Sequence, residues 1–421
     1  MKTVIMAGGK GTRIAKRFPD IPKPLIPIEG VPVLEREIIS LRDQGYTDIT
    51  LTISHMAQKI IDYFSERCLD GVNLDFYVEN EPLGNAGALF KMKDKLNNDF
   101  LLLNADNIFD VNFDRFVKFH KAKRAKATIF THPNNHPYDS GLIITDNDGR
   151  IVNWLNKEDK RPIFYKNKVN AGIHIISPEL LKETDKTKVD LDRDILKPFV
   201  STGMMYSYDS SEYVEDMGTP ERYEAVLLDF KNGIVGQKNL RNRQNAIFLD
   251  RDGTINKYVG FLKRPEEFEL LPRAAEAIKA INKSGYLAIV VTNQPVVARG
   301  DVTFGQLDEI HNKMETLLGE QGAYVDDIYY CPHHPDLGFE GEIRKLKIEC
   351  TCRKPSPGML LKAADKYNID LSKSWMIGDD ERDIQAGKNA GCRTAFIGDN
   401  LKISSDLVCN SLLDAVNNIL K

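Results

Sequence analysis

Ala246-Ile247-Phe248-Leu249-Asp250-Arg251-Asp252-Gly253-Thr254 is the stretch that decides how this chain is read. Four apolar residues in a row read as a strand buried on both faces, as in a parallel sheet. Two aspartates and a turn glycine follow at its carboxyl end, the edge where open α/β sheets carry their active sites. Aspartates one residue apart in that place suit a nucleophile, a proton shuttle and a hard-metal site. A plain Asp-Gly turn would look the same, so the reading rests on what lies downstream.

Downstream, a second apolar run at 287–291 ends in Thr292-Asn293-Gln294. A hydroxyl there can bond a phosphoryl oxygen, or merely satisfy local backbone. Arg299, in Val-Ala-Arg-Gly, is a reachable cation. Helices are expected at 274–283 and 304–318, and strands at 328–330 and 395–397. Between the first strand and the first helix lies a loop, 256–262, with Tyr258 and Phe261. Cys331-Pro332-His333-His334-Pro335 and Cys350-Thr351-Cys352-Arg353-Lys354-Pro355 then bring three of the six cysteines beside two histidines. Cys331, His333, Cys350 and Cys352 fit a tetrahedral structural zinc site, with His334 as the alternative ligand. Such a closed set leaves no open metal position for catalysis and would hold Lys354 over the site. A third apolar run, 375–377, ends in Gly378-Asp379-Asp380-Glu381-Arg382-Asp383, a second source of Mg²⁺ ligands.

The first half opens on a short apolar strand, 4–7, feeding Gly8-Gly9-Lys10-Gly11-Thr12-Arg13. Glycines let backbone amides approach phosphate oxygens, and Thr12 and Arg13 add donors. The spacing is neither the dinucleotide fingerprint nor the Walker loop, and a tight strand–helix turn would need the same glycines. Pro22-Lys23-Pro24-Leu25 presents a lysine ten residues after Arg13, which favours the phosphate reading. Helices at 33–44 and 56–64 alternate with strands at 49–53 and 74–78, the pattern of a parallel sheet with helices on its faces. The loop 81–87 holds Gly84 and Asn85. A buried strand, 100–103, ends in Asn104-Ala105-Asp106. Lys157 follows a strand-like 151–155, Asn170-Ala171-Gly172 opens a strand at 173–176, and Asp216-Met217-Gly218-Thr219-Pro220 follows Tyr213-Val214.

At 421 residues the chain is too long for one ordinary core. We expect an α/β protein with units at 1–232 and 246–421 and a polar, glycine-bearing linker at 233–245, parts of which (Ile234, Val235, Leu240) could pack against either unit. A net charge of −4 argues against nucleic-acid or membrane-surface partners. No apolar run reaches a membrane span, and the N-terminus reads as a strand rather than a secretory signal. Cysteine usage fits a reducing cytoplasm. The partners expected are small molecules; homo-oligomerisation is left open.

Gly-Gly-x-Gly-Thr-Arg, Pro-Lys-Pro-Leu, Pro-Leu-Gly-x-Ala-Gly, Asn-Ala-Asp, Asn-Ala-Gly and Asp-x-Gly-Thr-Pro occur in that order, so the first 230 residues or so resemble the sugar-1-phosphate nucleotidyltransferases. The resemblance implies a Rossmann-like fold and attack of a sugar 1-phosphate on the α-phosphate of a nucleoside triphosphate. It implies that Gly8, Gly9, Gly11, Thr12 and Arg13 hold the triphosphate, with Lys23 near the reacting phosphates. Gly84 and Asn85 would lie against the base, Asp106 and Asp216 would bind Mg²⁺, and Lys157 and Asn170 would meet the sugar phosphate. Two residues depart from the pattern, Ala105 where Gly is usual and Asn85 where Thr is common.

Asp-x-Asp-Gly-Thr, a strand-end Thr, a Lys and Gly-Asp-Asp resemble the haloacid-dehalogenase phosphatases over residues 246–421. Phe-Leu-Asp-Arg-Asp-Gly-Thr-Ile-Asn, Thr-Asn-Gln with Ala-Arg-Gly, and the Cys/His loop running into Cys-Arg-Lys-Pro are similar to the heptose 1,7-bisphosphate 7-phosphatases and the histidinol-phosphate phosphatases. The resemblance implies that Asp250 is the nucleophile and Asp252 the acid–base. Thr292 and Lys354 would hold phosphoryl oxygens, and Asp250, the Asp252 carbonyl and Asp379 would bind Mg²⁺. Arg353, Asn293, Arg299, Tyr258 and Phe261 would face the sugar. Pro295-Val296 departs from the usual Ser-Gly. Fusion favours heptose, because removing a 7-phosphate leaves a sugar 1-phosphate for the other half. A Gly-Gly-x-Gly-Thr-Arg transferase resembles the α-anomer route, which uses GTP. The alternative is a mannose-1-phosphate guanylyltransferase joined to a histidinol-phosphate-type or generic sugar phosphatase.

Overall fold

The computed structural model describes residues 1–421 apart from 68, 183 and 401. The chain forms two compact units. One comprises 1–132, 141–158 and 169–239; the other comprises 240–421 with two short segments from earlier in the chain, 133–140 and 159–168.

The second unit is built on a six-stranded sheet in the order Asp327–Cys331, Leu287–Asn293, Ala246–Leu249, Trp375–Gly378, Arg393–Ile397, Leu407–Cys409, every pair parallel. Numbered by appearance, that order is 3-2-1-4-5-6, doubly wound with its switch point beside the first strand. Period-2 alternation fills both faces. Ile247 and Leu249 enter one core with Ile278, Ile310, Met314 and Val416, while Ala246 and Phe248 enter the other with Met359, Leu360 and Ala386. The helices Ala274–Asn282, Phe304–Glu320 and Leu412–Ile419 cover the first face; Gly358–Tyr367 and Glu381–Ala390 cover the second. Thr303 starts the 17-residue helix with a capping box, its hydroxyl accepting from Gln306 N at 3.2 Å. The two early segments are an intrinsic part of this unit: Tyr165 N donates to Thr316 Oγ1 at 2.9 Å.

In the first unit, Asn73–Val78, Asp48–Ile53, Thr3–Met6 and Phe100–Asn104 run parallel in that order. The run of parallel neighbours ends there. Val169–Ile176 lies antiparallel to Phe100–Asn104, and Leu142–Thr145, Ile151–Leu155 and Ala127–His132 extend that antiparallel half. For the pair Leu142–Thr145 and Ile151–Leu155 the reason is connection length: antiparallel partners can join through a short turn, whereas parallel ones need a crossover. Thr145 and Ile151 are joined by five residues that turn at Gly149 (φ +77°). Ile5, Leu101 and Leu103 face one core, Val4, Phe100 and Leu102 the other.

The stretch expected as a linker is ordered. Ile234–Gln237 forms one helical turn whose Ile234 and Val235 are buried in the first unit, and Leu240 is buried in the second. No helix among the described residues is long and apolar enough to cross a membrane.

Candidate active sites

The switch point of the second unit collects the carboxylates. Asp250 N donates to Ile377 O at 2.9 Å, which fixes the end of the first strand against the fourth. Gly253 (φ +91°) lets the backbone pass so close to Asp379 that a Cβ would lie 1.9 Å from its Oδ2. Oxygens of Asp250, Asp379 and Asp383 lie within 4.8 Å of one another. Asp383 reaches this place because Asp380 and Asp383 form the capping box of Glu381–Ala390, Asp380 N donating to Asp383 Oδ2 at 3.1 Å. Its other oxygen meets Lys354 Nζ at 2.7 Å. Lys354 also pairs with Asp250 and donates to Val291 O at 2.7 Å, so the buried ammonium has three oxygen partners. Three carboxylates around one cation leave negative charge in excess. Burial pushes Asp250 up to about 7 against the pull of Lys354, and burial with the nearby Asp250 lifts Asp379 to about 6. Such crowding of hard oxygens fits a divalent cation.

Asp252 stands apart from that cluster. Arg251, wholly buried, pairs with its Oδ2 at 2.7 Å; Gln294 Nε2 donates to Oδ2 at 2.8 Å and Asn256 Nδ2 to Oδ1 at 3.0 Å. Burial alone would raise its pKa, but Arg251 and these donors outweigh it and hold the carboxyl below its ordinary range. Above the carboxylates opens a cavity of about 480 Å³, lined among others by Tyr258, Phe261, Thr292, Asn293, Arg353 and Lys354. Gln294, His334 and Arg382 also face it. Arg299 stacks on Phe261 at 4.0 Å and Phe339 at 4.3 Å and pairs with Asp301 at 3.2 Å, bracing the aromatic wall.

The four expected zinc ligands converge. Cys331, Cys350 and Cys352 have their sulfurs 3.3 to 3.5 Å apart, and His333 Nδ1 lies 3.3 Å from Cys352 Sγ and 3.6 Å from Cys331 Sγ. Four soft donors in one cluster fit zinc. His334 turns away, its Nδ1 accepting from Asp336 N at 3.2 Å. The chain leaves the cluster as Cys352-Arg353-Lys354, so the ligands fix the root of the lysine that answers Asp250 and Asp383.

The corresponding switch point of the first unit lies between Thr3–Met6 and Phe100–Asn104. Lys23 pairs with Asp106. Met217 N donates to Asp106 O at 3.1 Å, which sets the Asp216 turn beside it. Asp216 accepts from Gly218 N at 2.8 Å and pairs with Arg222. Arg13 approaches the same turn, its Nη2 3.2 Å from where a Gly218 Cβ would sit. The structure thus brings Arg13, Lys23, Asp106 and Asp216 together, with Gly8, Gly9, Gly11 and Thr12 in the adjoining loop. Asp106 and Asp216 are hard oxygen donors of the type Mg²⁺ takes, each now balanced by a basic side chain. Glu37, missed from sequence, lies buried behind them; burial and Asp106 push its pKa well up. Asn85 uses its amide within the protein: Oδ1 accepts from Leu191 N at 2.8 Å and Nδ2 donates to Asp190 at 3.3 Å. Lys157 is exposed beyond Ile151–Leu155, and Asn170 sits on Val169–Ile176.

Sequence reasoning gave Asp383 only as one carboxylate of the stretch after the fourth strand, and assigned no role to Gln294, Arg251 or Arg382. Asp380-x-x-Asp383 after a glycine-ended strand was a capping signal that could have found Asp383. A wholly buried arginine has no such signal, because arginine is normally exposed.

Residues 2–232 match the nucleotidyl transferase family, and residues 351–415 a HAD-hydrolase-like family. The D-glycero-beta-D-manno-heptose-1,7-bisphosphate 7-phosphatase of Salmonella typhi is 39% identical over 183 residues, 42% of this chain and 95% of that protein. The D-glycero-alpha-D-manno-heptose-1,7-bisphosphate 7-phosphatase of Photorhabdus laumondii is 40% identical over 156 residues, 37% of this chain and 83% of that protein. Among solved structures, HddC from Yersinia pseudotuberculosis complexed with GMP-PN is 28% identical, with 54% of this chain and 99% of that one covered at a TM-score of 0.48. The chain therefore belongs to the nucleotidyl transferase family through its first half and to the heptose-1,7-bisphosphate 7-phosphatases through its second, and it carries a transferase and a phosphatase in one polypeptide.

Proposed function

We propose that this bifunctional enzyme removes the 7-phosphate of D-glycero-D-manno-heptose 1,7-bisphosphate and then transfers GMP from GTP to the heptose 1-phosphate, giving GDP-heptose and pyrophosphate. The observation that carries this reading is the fusion itself: a unit 39% identical to a heptose-1,7-bisphosphate 7-phosphatase shares a chain with a nucleotidyl transferase. The product of the first reaction is the acceptor class of the second. The five described cysteines form no disulfide, which supports a reducing cytoplasm, where such precursors of surface glycans are made.

In the phosphatase, an oxygen of Asp250 attacks phosphorus while Lys354 and Thr292 hold the phosphoryl oxygens, and the sugar oxygen leaves with a proton from Asp252. Water, deprotonated by Asp252, then cleaves the aspartyl phosphate. As built, Asp252 is held ionised, the state required of the base in the second step; it must gain a proton before the first. Asp250, Asp379 and Asp383, with the Asp252 carbonyl, would hold Mg²⁺, which supplies charge neutralisation at the phosphoryl group. Cys331, His333, Cys350 and Cys352 would hold a structural zinc.

In the transferase, no covalent enzyme step is needed; the work is positioning and charge neutralisation. The amides of Gly8, Gly9 and Gly11 with Thr12 and Arg13 hold the triphosphate, and Lys23 sits at the reacting phosphates. Asp106 and Asp216 would hold Mg²⁺, Gly84 and Asn85 border the base, and Lys157 and Asn170 meet the sugar phosphate. Competition between heptose and mannose phosphates tests the substrate: transfer to mannose 1-phosphate in preference to heptose 1-phosphate would overturn the heptose reading.

A further inference from the structure

Thr292 and Gln294 stand two residues apart at the carboxyl end of Leu287–Asn293, so their side chains leave the chain on the same side. Both are buried, and both line the cavity over the carboxylates. Gln294 is pinned by its backbone: its N donates to Cys331 O at 2.8 Å, on the neighbouring strand that ends in the first residue of the Cys/His cluster. Asn293, between the two, closes an amide pair with Lys354, its Nδ2 donating to Lys354 O and its Oδ1 accepting from Lys354 N, each at 3.0 Å. The side chain of Gln294 therefore starts from a fixed root.

The amide of Gln294 has one orientation open to it. Nε2 lies 2.8 Å from Asp252 Oδ2 and 2.9 Å from Thr292 Oγ1. A carboxylate only accepts, so the group facing Asp252 is the NH₂ and not the amide oxygen. That nitrogen has two hydrogens and accepts nothing, so one hydrogen goes to Asp252 and the other to Thr292. Thr292 thus accepts from Gln294 and keeps its own hydroxyl hydrogen for a different acceptor. A phosphoryl oxygen in the cavity is such an acceptor; without the Gln294 nitrogen the hydroxyl would be free to rotate. Asp252 is held from two sides. Arg251 and Asn256, both fully buried, donate from within the protein, Asn256 to Oδ1 at 3.0 Å and Arg251 to both oxygens. Gln294 is the donor that lines the cavity. One nitrogen sets both groups at once.

We propose that Gln294 is a positioning residue of the phosphatase: through a single amide nitrogen it makes Thr292 a donor to the phosphoryl group and aims Asp252 at the leaving oxygen. This rests on the roles given above to Thr292 and Asp252. The test uses the full chain carrying Gln294→Met, which keeps the reach of the side chain and removes both donors, alone and together with Thr292→Val. kcat/KM is measured for phosphate release from heptose 1,7-bisphosphate, with pyrophosphate release from GTP and a sugar 1-phosphate as the control for folding. Loss of a donor to a charged group predicts a fall of about 10- to 100-fold in Gln294→Met. Because Gln294 acts partly through Thr292, the losses should not add: in the Thr292→Val background the same change should cost at least about threefold less than it costs alone. A second readout isolates the part that runs through Asp252. p-Nitrophenolate leaves without needing a proton, so kcat/KM for p-nitrophenyl phosphate should fall at least about fivefold less in Gln294→Met than kcat/KM for the bisphosphate. An unchanged kcat/KM in Gln294→Met, additive losses with Thr292→Val, or equal losses on the two substrates overturns the proposal. A wild type that releases no phosphate from heptose 1,7-bisphosphate sinks the heptose reading instead, and the same comparisons on the alkyl phosphate it does hydrolyse still decide the inference.

Discussion

Asp250 and Asp379 keep their protons in the folded, magnesium-free protein to about 7 and about 6, whereas unfolded carboxylates lose theirs near pH 4. Between those limits the folded state binds more protons than the unfolded one, so its stability falls as pH rises from roughly 4 to 7. The melting temperature of magnesium-free, zinc-retaining protein should therefore drop between pH 5 and pH 7.5. Mg²⁺ should restore most of the loss, because a dication replaces the protons. A melting temperature that is flat with pH, or equally steep with Mg²⁺, would contradict the carboxylate cluster as a metal site. Gly253 gives a second test at this scale. Alanine there would set a Cβ 1.9 Å from Asp379 Oδ2 in a left-handed backbone that costs about 1 kcal/mol or more. Gly253→Ala should cut phosphate release at least about tenfold, read by steady-state assay, and leave pyrophosphate release intact.

Most of this placement was legible in the sequence because strand ends are legible. Apolar runs that stop at Asp250, Thr292 and Asp379 place those residues on one edge of a parallel sheet, and the structure puts them there. What escaped was whatever depends on side-chain packing. Arg251, given no role between the two aspartates, is buried and holds Asp252. The stacking of Arg299 on Phe261 and Phe339 likewise had no signal in the sequence.

At the scale of elements, the Cys/His cluster is the device that gives a long polar loop a fixed shape. Cys352 lies two residues before Lys354, so the cluster and the lysine that pairs with Asp250 and Asp383 are built together. Cys352→Ser should abolish binding of one zinc per chain, measured by elemental analysis, and lower the melting temperature of the second unit by several degrees or more. It should also remove phosphate release, since Lys354 loses its anchor, while pyrophosphate release continues. Full phosphatase activity without zinc would show that the lysine is held by other means. The cluster could be read from sequence because cysteine and histidine are rare and were close in spacing. The antiparallel half of the first sheet could not, because the same apolar runs serve either strand direction and only the connections decide.

At the scale of the whole molecule, the two-unit plan was readable, but its partition was not. Residues 133–140 and 159–168 belong to the unit formed mainly by 240–421, and nothing in their composition announces it. The residues proposed for each site lie within a single unit, so the two activities should be separable. Asp250→Asn should reduce phosphate release below about 0.1% of wild type while the same protein still releases pyrophosphate from supplied heptose 1-phosphate. Loss of both activities in a protein that remains folded would contradict two independent sites.

The central claim, that one chain makes a nucleotide-activated heptose by two consecutive steps, is tested most directly by ³¹P NMR of the full protein with Mg²⁺, GTP and the α-anomer of heptose 1,7-bisphosphate. The account predicts loss of the 7-phosphate resonance first, then growth of the diphosphate signals of GDP-heptose together with pyrophosphate. Nucleotidyl transfer to the intact bisphosphate before any phosphate release, or phosphate release followed by no transfer from any nucleoside triphosphate, would contradict it.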